Sequence, residues 1–328
     1  DEIDARGLWL LPGVIDDQVP FRDPGFPDKA DFFSESRAAV AGGVTSVMDM
    51  PNTLPQTITQ KHLREKFSMA SKKSLTNYSF YLGATNDNIE EIVATDPTGV
   101  CGIKVFMGAS TGNMLVDDPL ALEAIFSRAP CLVAVHCEDE PTIKANAARF
   151  RHRYGEHVPM ACHPEIRSEE ACYRSSSLAV KLAGKHGTQL HILHLSTGKE
   201  LELLDGNTPL EHKQITAEAC VHHLWFTRDD YEPLGSYIKW NPAIKTAEDR
   251  QALRQGILDD RIDIVATDHA PHTRTEKQQS YFKTPSGGPL IQHSLVAMLE
   301  LAASEVLSVE KVVEKMCHAP AIRFQIDQ

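Results

Sequence analysis

The chain has 328 residues, with 33 Lys and Arg against 45 Asp and Glu, for a formal charge of −12. That length suits one large domain or two ordinary ones, and the acidic balance argues against a nucleic-acid backbone as partner and for a solubilising surface. Seven cysteines without a CxxC pair suggest neither a zinc knuckle nor a disulfide framework; with no apolar run near the roughly 20 residues of a membrane span and no secretory segment, a cytoplasmic protein with no membrane partner is expected.

In chain order, eight β-rich runs alternate with helical patterns: GVIDDQV (13–19), VTSVMDM (44–50), NYSFYLG (77–83), CGIKVFM (101–107), CLVAVHC (131–137), TQLHILHL (188–195), QITAEAC (214–220) and IDIVATD (262–268). Several are nearly continuous apolar stretches, as parallel strands covered on both faces require. Asp31–Ala41 carries apolar residues at helical spacing and stops at Gly42-Gly43, and Arg167–His186 and Ala247–Leu258 behave alike. Eight strand–helix repeats predict an α/β fold of the (β/α)8 type, a TIM-like barrel spanning 13–320. Residues 1–12 and 321–328, the latter after a helix at Val309–His318, are expected to be remnants of a small β-rich accessory domain.

Active-site groups of such a barrel lie at the C-terminal ends of its strands. Arg22, in PFRDPG, offers a forked donor that matches a substrate carboxylate. Asn52, in MPNT, and Asn241, in WNPAIK, suit a ring amide, or else fix turns. Lys104 sits inside the apolar run GIKVFMG. It is either half of a buried ion pair or a desolvated amine that reacts with carbon dioxide to give a metal-ligating carbamate. His136 ends the run LVAVH, where a metal ligand is expected. His191 and His194, in LHILHL, are three apart, so strand alternation puts only one inside the barrel. His194, nearer the strand end, is the expected one, leaving His191 packed against a helix. Asp268 ends the eighth run in TDHAPH, followed by His269 and His272. A carboxylate there can bind metal, take a proton from an attacking water and return it to the leaving group. Gly287 and Gly288, in SGGPL, either let backbone approach a ligand or form an ordinary turn.

The motifs PGVID, FRDPG, AGGVTSVMDMPNT, GIKVFMG, VHCE, HILHLST, NPAIK and ATDHAPH run in the order found in cyclic amidohydrolases, and the chain resembles the dihydroorotases among them over almost its whole length. The resemblance implies a barrel flanked by an accessory domain. It also implies reversible, zinc-dependent hydrolysis of the dihydroorotate ring amide to N-carbamoyl-aspartate in pyrimidine biosynthesis, by a homodimer. It makes Lys104 the carboxylated bridging ligand, His136 and His194 ligands of the second metal, and Asp268 both ligand and base. Arg22, Asn52, Asn241 and His272 would hold the substrate. Allantoinases and dihydropyrimidinases generally lack an arginine at the place of Arg22, because their substrates lack the carboxylate, and rank below.

One departure stands out. The family pattern D-x-H-x-H-x-R reads D-D-Q-V-P-F-R from Asp16 to Arg22. Gln18 is a weak zinc ligand and Pro20 has no donor atom. The first metal position keeps only Lys104 and Asp268, fewer than the three protein ligands of a catalytic zinc. The second keeps Lys104, His136 and His194. One zinc per chain is therefore expected rather than two. The alternative is a non-catalytic homologue that retains the fold for binding or assembly.

Overall fold

A computed structural model describes residues 4–108 and 114–327. All eight runs form strands: β1 (Val14–Val19), β2 (Val44–Asp49), β3 (Asn77–Gly83), β4 (Gly102–Phe106), β5 (Val133–His136), β6 (Leu190–Ile192), β7 (Ile215–Cys220) and β8 (Ile264–Ala266). Each pairs in parallel with the next, in the order β1 to β8. The end of β8 returns to β1 through Thr267, whose backbone N–H and hydroxyl donate to the Asp16 carboxylate at 3.2 and 2.6 Å. This is a (β/α)8 barrel.

Alternation sorts the strand residues into two cores. Val14, Val44, Phe80, Leu82, Ile103, Val105, Val133 and Val135 face outward and pack under the helices. Ile15, Met48, Met50, Tyr81, Ala134 and Leu193 fill the interior. The helices begin where side chains can accept their free N–H groups. Asp31 caps Phe32–Ala41, and Thr246 caps Ala247–Leu258 with Asp249 completing the box. The third predicted helix starts at Glu169, not Arg167, because the Ser168 side chain accepts from Ala171 N. The segment at Val309–His318 is α-helical to Val313 and then a π-turn over Glu314–His318.

Residues 4–13 contain a turn and no strand, and residues 1–3 and 328 lie outside the described residues. The expected boundary at 320 falls inside the helix Ala319–Arg323, which belongs to the barrel. Phe324 plugs the barrel from below, its ring centroid 6.5 Å from Tyr81 and 6.0 Å from His191. Arg323 donates to the carbonyls of Leu190 and Gln214 at 2.8 and 3.3 Å.

The exit of β1, which aims Arg22, is fixed by a buried ion pair. Asp49 at the end of β2 accepts from Phe21 N at 2.7 Å and meets Lys66 Nζ at 2.6 Å, with both side chains buried. Lys66 also donates to Met50 O at 2.6 Å. Removing one partner of such a pair strands the other charge in a dry site. Lys66→Met is therefore expected to lower stability by about 3–5 kcal/mol in urea unfolding. Adding Asp49→Asn should recover part of the loss; a double variant as unstable as the single one would show that the charge is not the cause.

Candidate active site

The strand ends surround a cavity of about 320 Å³ whose lining includes eight residues that the sequence nominates: Arg22, Asn52, Lys104, His136, His194, Asn241, Asp268 and His272. Gln18 and Pro20 line it as well. Three of these residues leave regular backbone. Arg22, His194 and Asp268 have φ of 68°, 40° and 46°, the left-handed region that side chains with a Cβ rarely adopt. Each stands just beyond a strand, and the turn swings its side chain over the barrel mouth.

Lys104 is buried on β4, and its Nζ has no hydrogen-bond partner. Burial lowers its pKa to about 8, against the opposing pull of Glu218 and Asp268. Of its two readings, the buried direct ion pair is absent among the described residues. Burial also raises Asp268 to about 7, with Lys104 and Arg22 acting the other way. Gln18 Nε2 donates to Asp268 Oδ1 at 3.3 Å.

His136 and His194 meet with Nδ1 of the first 2.9 Å from Nε2 of the second. Burial depresses both pKa values, strongly for His194, so both imidazoles are neutral at pH 7. Glu138 Oε2 lies 2.9 Å from His136 Nε2 and is paired with Arg167. Burial alone would raise Glu138, but Arg167 and His136 outweigh it and bring it to about 2. A permanent carboxylate there keeps the proton of His136 on Nε2 and turns the Nδ1 lone pair toward His194. The facing nitrogens and the orphaned Lys104 amine suit a divalent cation.

On the opposite wall, Arg22 Nε donates to Pro271 O at 3.1 Å. Lys29 Nζ lies 3.1 Å from His272 Nδ1, which makes Nδ1 the acceptor and Nε2 the protonated nitrogen that donates to Ser286 O at 3.0 Å. Burial, then Arg22 and Lys29, hold His272 neutral, at about 3. Arg22 Nη2 is 3.0 Å from that Nε2 and finds no lone pair there. No carboxylate pairs with Arg22 among the described residues. Asn52 Oδ1 is buried without a partner, whereas Asn241 Oδ1 accepts from Ser286 Oγ at 2.9 Å.

His191 is a correction. It does not face a helix but lies wholly buried inside the barrel, beside Asp17 and Glu218. Both histidines face in because β6 ends at Ile192 and the left-handed turn at His194 breaks the alternation. His269 is outside the cavity: Nε2 meets Glu35 at 2.6 Å, and Nδ1 accepts from Leu290 N and Ile291 N. Gly287 lines the cavity with φ of 119°, while Gly288 packs against Trp240. Sequence reasoning missed Arg167 and Glu138. The acidic residue two positions after His136 was the available signal for the second; nothing marked the first.

The dihydroorotase of Halobacterium salinarum is 35% identical over 329 residues, covering 99% of this chain and 75% of that protein. The dihydroorotase of Methanosarcina mazei is 33% identical over 334 residues, covering 99% and 72%. Among solved structures, the L-hydantoinase (dihydropyrimidinase) from Arthrobacter aurescens matches with a TM-score of 0.93 at 28% identity, over 99% of this chain and 73% of that one. A D-hydantoinase from Bacillus sp. AR9 matches with a TM-score of 0.86 at 23% identity, over 98% and 73%, a likeness of fold. No family model matches the chain.

Lys104 gives a test of the electrostatics. Its folded pKa, about 8, lies below the unfolded value near 10.5, so the unfolded chain holds more protons between those pH values. The penalty for burying the ammonium is full below pH 8 and fades as pH rises through 10.5. In metal-free protein, Lys104→Met should raise stability by about 3 kcal/mol at pH 7. The gain should vanish above pH 10.5; a gain independent of pH would mean better packing instead.

Proposed function

The chain belongs to the dihydroorotase family of cyclic amidohydrolases, and from that membership we propose that it hydrolyses the ring amide of dihydroorotate, reversibly, with one zinc ion in the cavity. The observation that carries the reading is the buried Arg22, which has no carboxylate partner among the described residues, facing Lys104, His136, His194 and Asp268 across one cavity. The proposed setting is a cytoplasmic homodimer, on the family resemblance alone.

Lys104, His136 and His194 would hold the metal, with Lys104 carboxylated: its neutral amine attacks carbon dioxide, loses a proton and becomes a carbamate. The ion would make a water nucleophilic at neutral pH and polarise the amide carbonyl. The remaining work belongs to side chains of this chain. Arg22 binds the substrate carboxylate with the N–H groups that His272 cannot accept. Asn52 and Asn241 bind the ring amide. Asp268 accepts the proton of the attacking water and returns it to the ring nitrogen as the C–N bond breaks. Glu138, held by Arg167, keeps His136 in the tautomer that ligation needs.

A second reading, a homologue that binds or assembles without turnover, is favoured by one contact. The Gln18 amide donates to Asp268 Oδ1, one of the two oxygens of the proposed base. Dihydroorotate ring opening, assayed beside zinc quantitation, separates the two. The hydrolase reading expects turnover, with kcat/KM climbing with pH up to about 7 as Asp268 loses its proton and level above it. Asp268→Asn should cost about 10²–10⁴-fold in kcat. Arg22→Met should raise KM at least ~10-fold for dihydroorotate and leave uncharged dihydrouracil unaffected. Zinc-loaded protein without turnover would leave the binding reading standing.

The lost ligands give a further expectation. Replacing Gln18 and Pro20 together by histidine should raise zinc content by about one ion per chain, as in two-metal hydrolases. Unchanged stoichiometry would place the first metal position elsewhere.

A further inference from the structure

We propose that Asp17, His191 and Glu218 form a second metal site, for a divalent first-row transition ion, inside the barrel one layer below the cavity. The three come from β1, β6 and β7 and are fully buried. Their ligand atoms lie within 4.8 Å of one another. His191 Nε2 is 3.2 Å from Asp17 Oδ2 and 3.3 Å from Glu218 Oε2. Donors placed 2.0–2.2 Å from a tetrahedral zinc stand about 3.3–3.6 Å apart, so these separations fit.

The surrounding bonds turn the three ligand groups toward one another. The Thr216 hydroxyl donates to Leu190 O at 3.3 Å and accepts from His191 Nδ1 at 2.8 Å, which leaves Nε2 to face the two carboxylates. Glu218 uses its other oxygen, Oε1, to accept from His194 N at 3.0 Å. Asp17 Oδ2 is paired with His191 Nε2, and its Oδ1 is buried with no hydrogen-bond partner. A dication held by a neutral His191 and two ionised carboxylates makes the buried site neutral overall. One imidazole and two carboxylates are an ordinary donor set for zinc.

β1 supplies Asp17 because its pairing with β2 slips between Asp16 and Val19, so Asp17 and Gln18 both turn inward. The strand that lacks the cavity ligands at 18 and 20 thus carries a carboxylate one layer deeper. A metal there would tie β1 to β6 and β7 and, through Glu218, steady the backbone of His194. The site does not depend on amidohydrolysis.

Full burial means that the ion enters during folding. The test therefore uses the full chain expressed with supplemental zinc, crystallised, and measured on both sides of the zinc absorption edge. An anomalous peak is expected about 2.0–2.2 Å from His191 Nε2 and an oxygen of each carboxylate. A peak between His136 and His194 with none at the triad overturns the proposal and spares the hydrolase reading. A peak at the triad alone supports the proposal and counts against that reading. In solution, Asp17→Asn should lower zinc by about one per chain and abolish the part of the Tm gain that zinc loading gives. Equal Tm losses with and without zinc are the mark of a bare ion triad and overturn it. Should that variant fail to fold, Glu218→Gln is measured in the same way.

Discussion

Desolvation in a closed parallel barrel governs everything at this site. Eight strands covered by helices outside, with Phe324 packed below, bury the interior side chains. A charge placed there must be paired, neutralised or matched to a ligand. Lys104 meets that condition by a lowered pKa and Asp268 by a raised one, so a weakened ammonium and a weakened carboxylate share one cavity. The two shifts have one cause with opposite signs for opposite charges. Both groups are thereby brought near neutrality, where proton transfer and reaction with carbon dioxide are accessible. The left-handed backbone at Arg22, His194 and Asp268 costs about 1–2 kcal/mol at each residue. That cost is carried by the barrel because Asp16–Thr267 and Asp49–Lys66 fix the chain on either side of β1.

The departure in β1 alters charge more than shape. Where the family pattern has two histidines, this chain has a side-chain amide and a ring with no donor. The Gln18 amide still reaches Asp268, so the aspartate retains a hydrogen-bond donor, though one without charge. Pro20 removes a backbone N–H at the β1 exit, and the next one, from Phe21, goes to Asp49. The strand therefore keeps its course with neutral groups at both positions. Lys104, His136 and His194 hang on β4, β5 and the turn after β6, clear of β1, and Glu138 braces His136 with Arg167, which lines the cavity.

The strands were legible because burial on both faces writes continuous apolar runs, and all eight lie where those runs stand. The helix starts were legible only to within the caps: Ser168 and Asp31 read as part of their helices until the side-chain acceptors are seen. The eight cavity residues were legible because barrel chemistry is confined to strand ends. His191 was misread because alternation fails where a strand is three residues long and followed by a left-handed turn. Asp17 escaped for a related reason: a register slip puts neighbouring residues of β1 on one face, and no local pattern announces it. Arg167 reaches Glu138 from a loop 29 positions further along, a contact made only by the fold.

What a ring must bring to this wall depends on its charge. An uncharged ring needs only amide donors and acceptors there. A guanidinium that is almost wholly buried needs an anion, and Arg22 gets none from the protein: burial pulls its pKa down while Asp268 and Asp49, neither in contact, pull it back. Lys29 keeps His272 in the tautomer that cannot accept from it, so the local hydrogen bonds preserve the shortage rather than relieve it. A neutral substrate would leave that charge desolvated and unmatched in every complex. On the proposed reading, a ring bearing a carboxylate would complete the wall by supplying the anion that the protein withholds from Arg22.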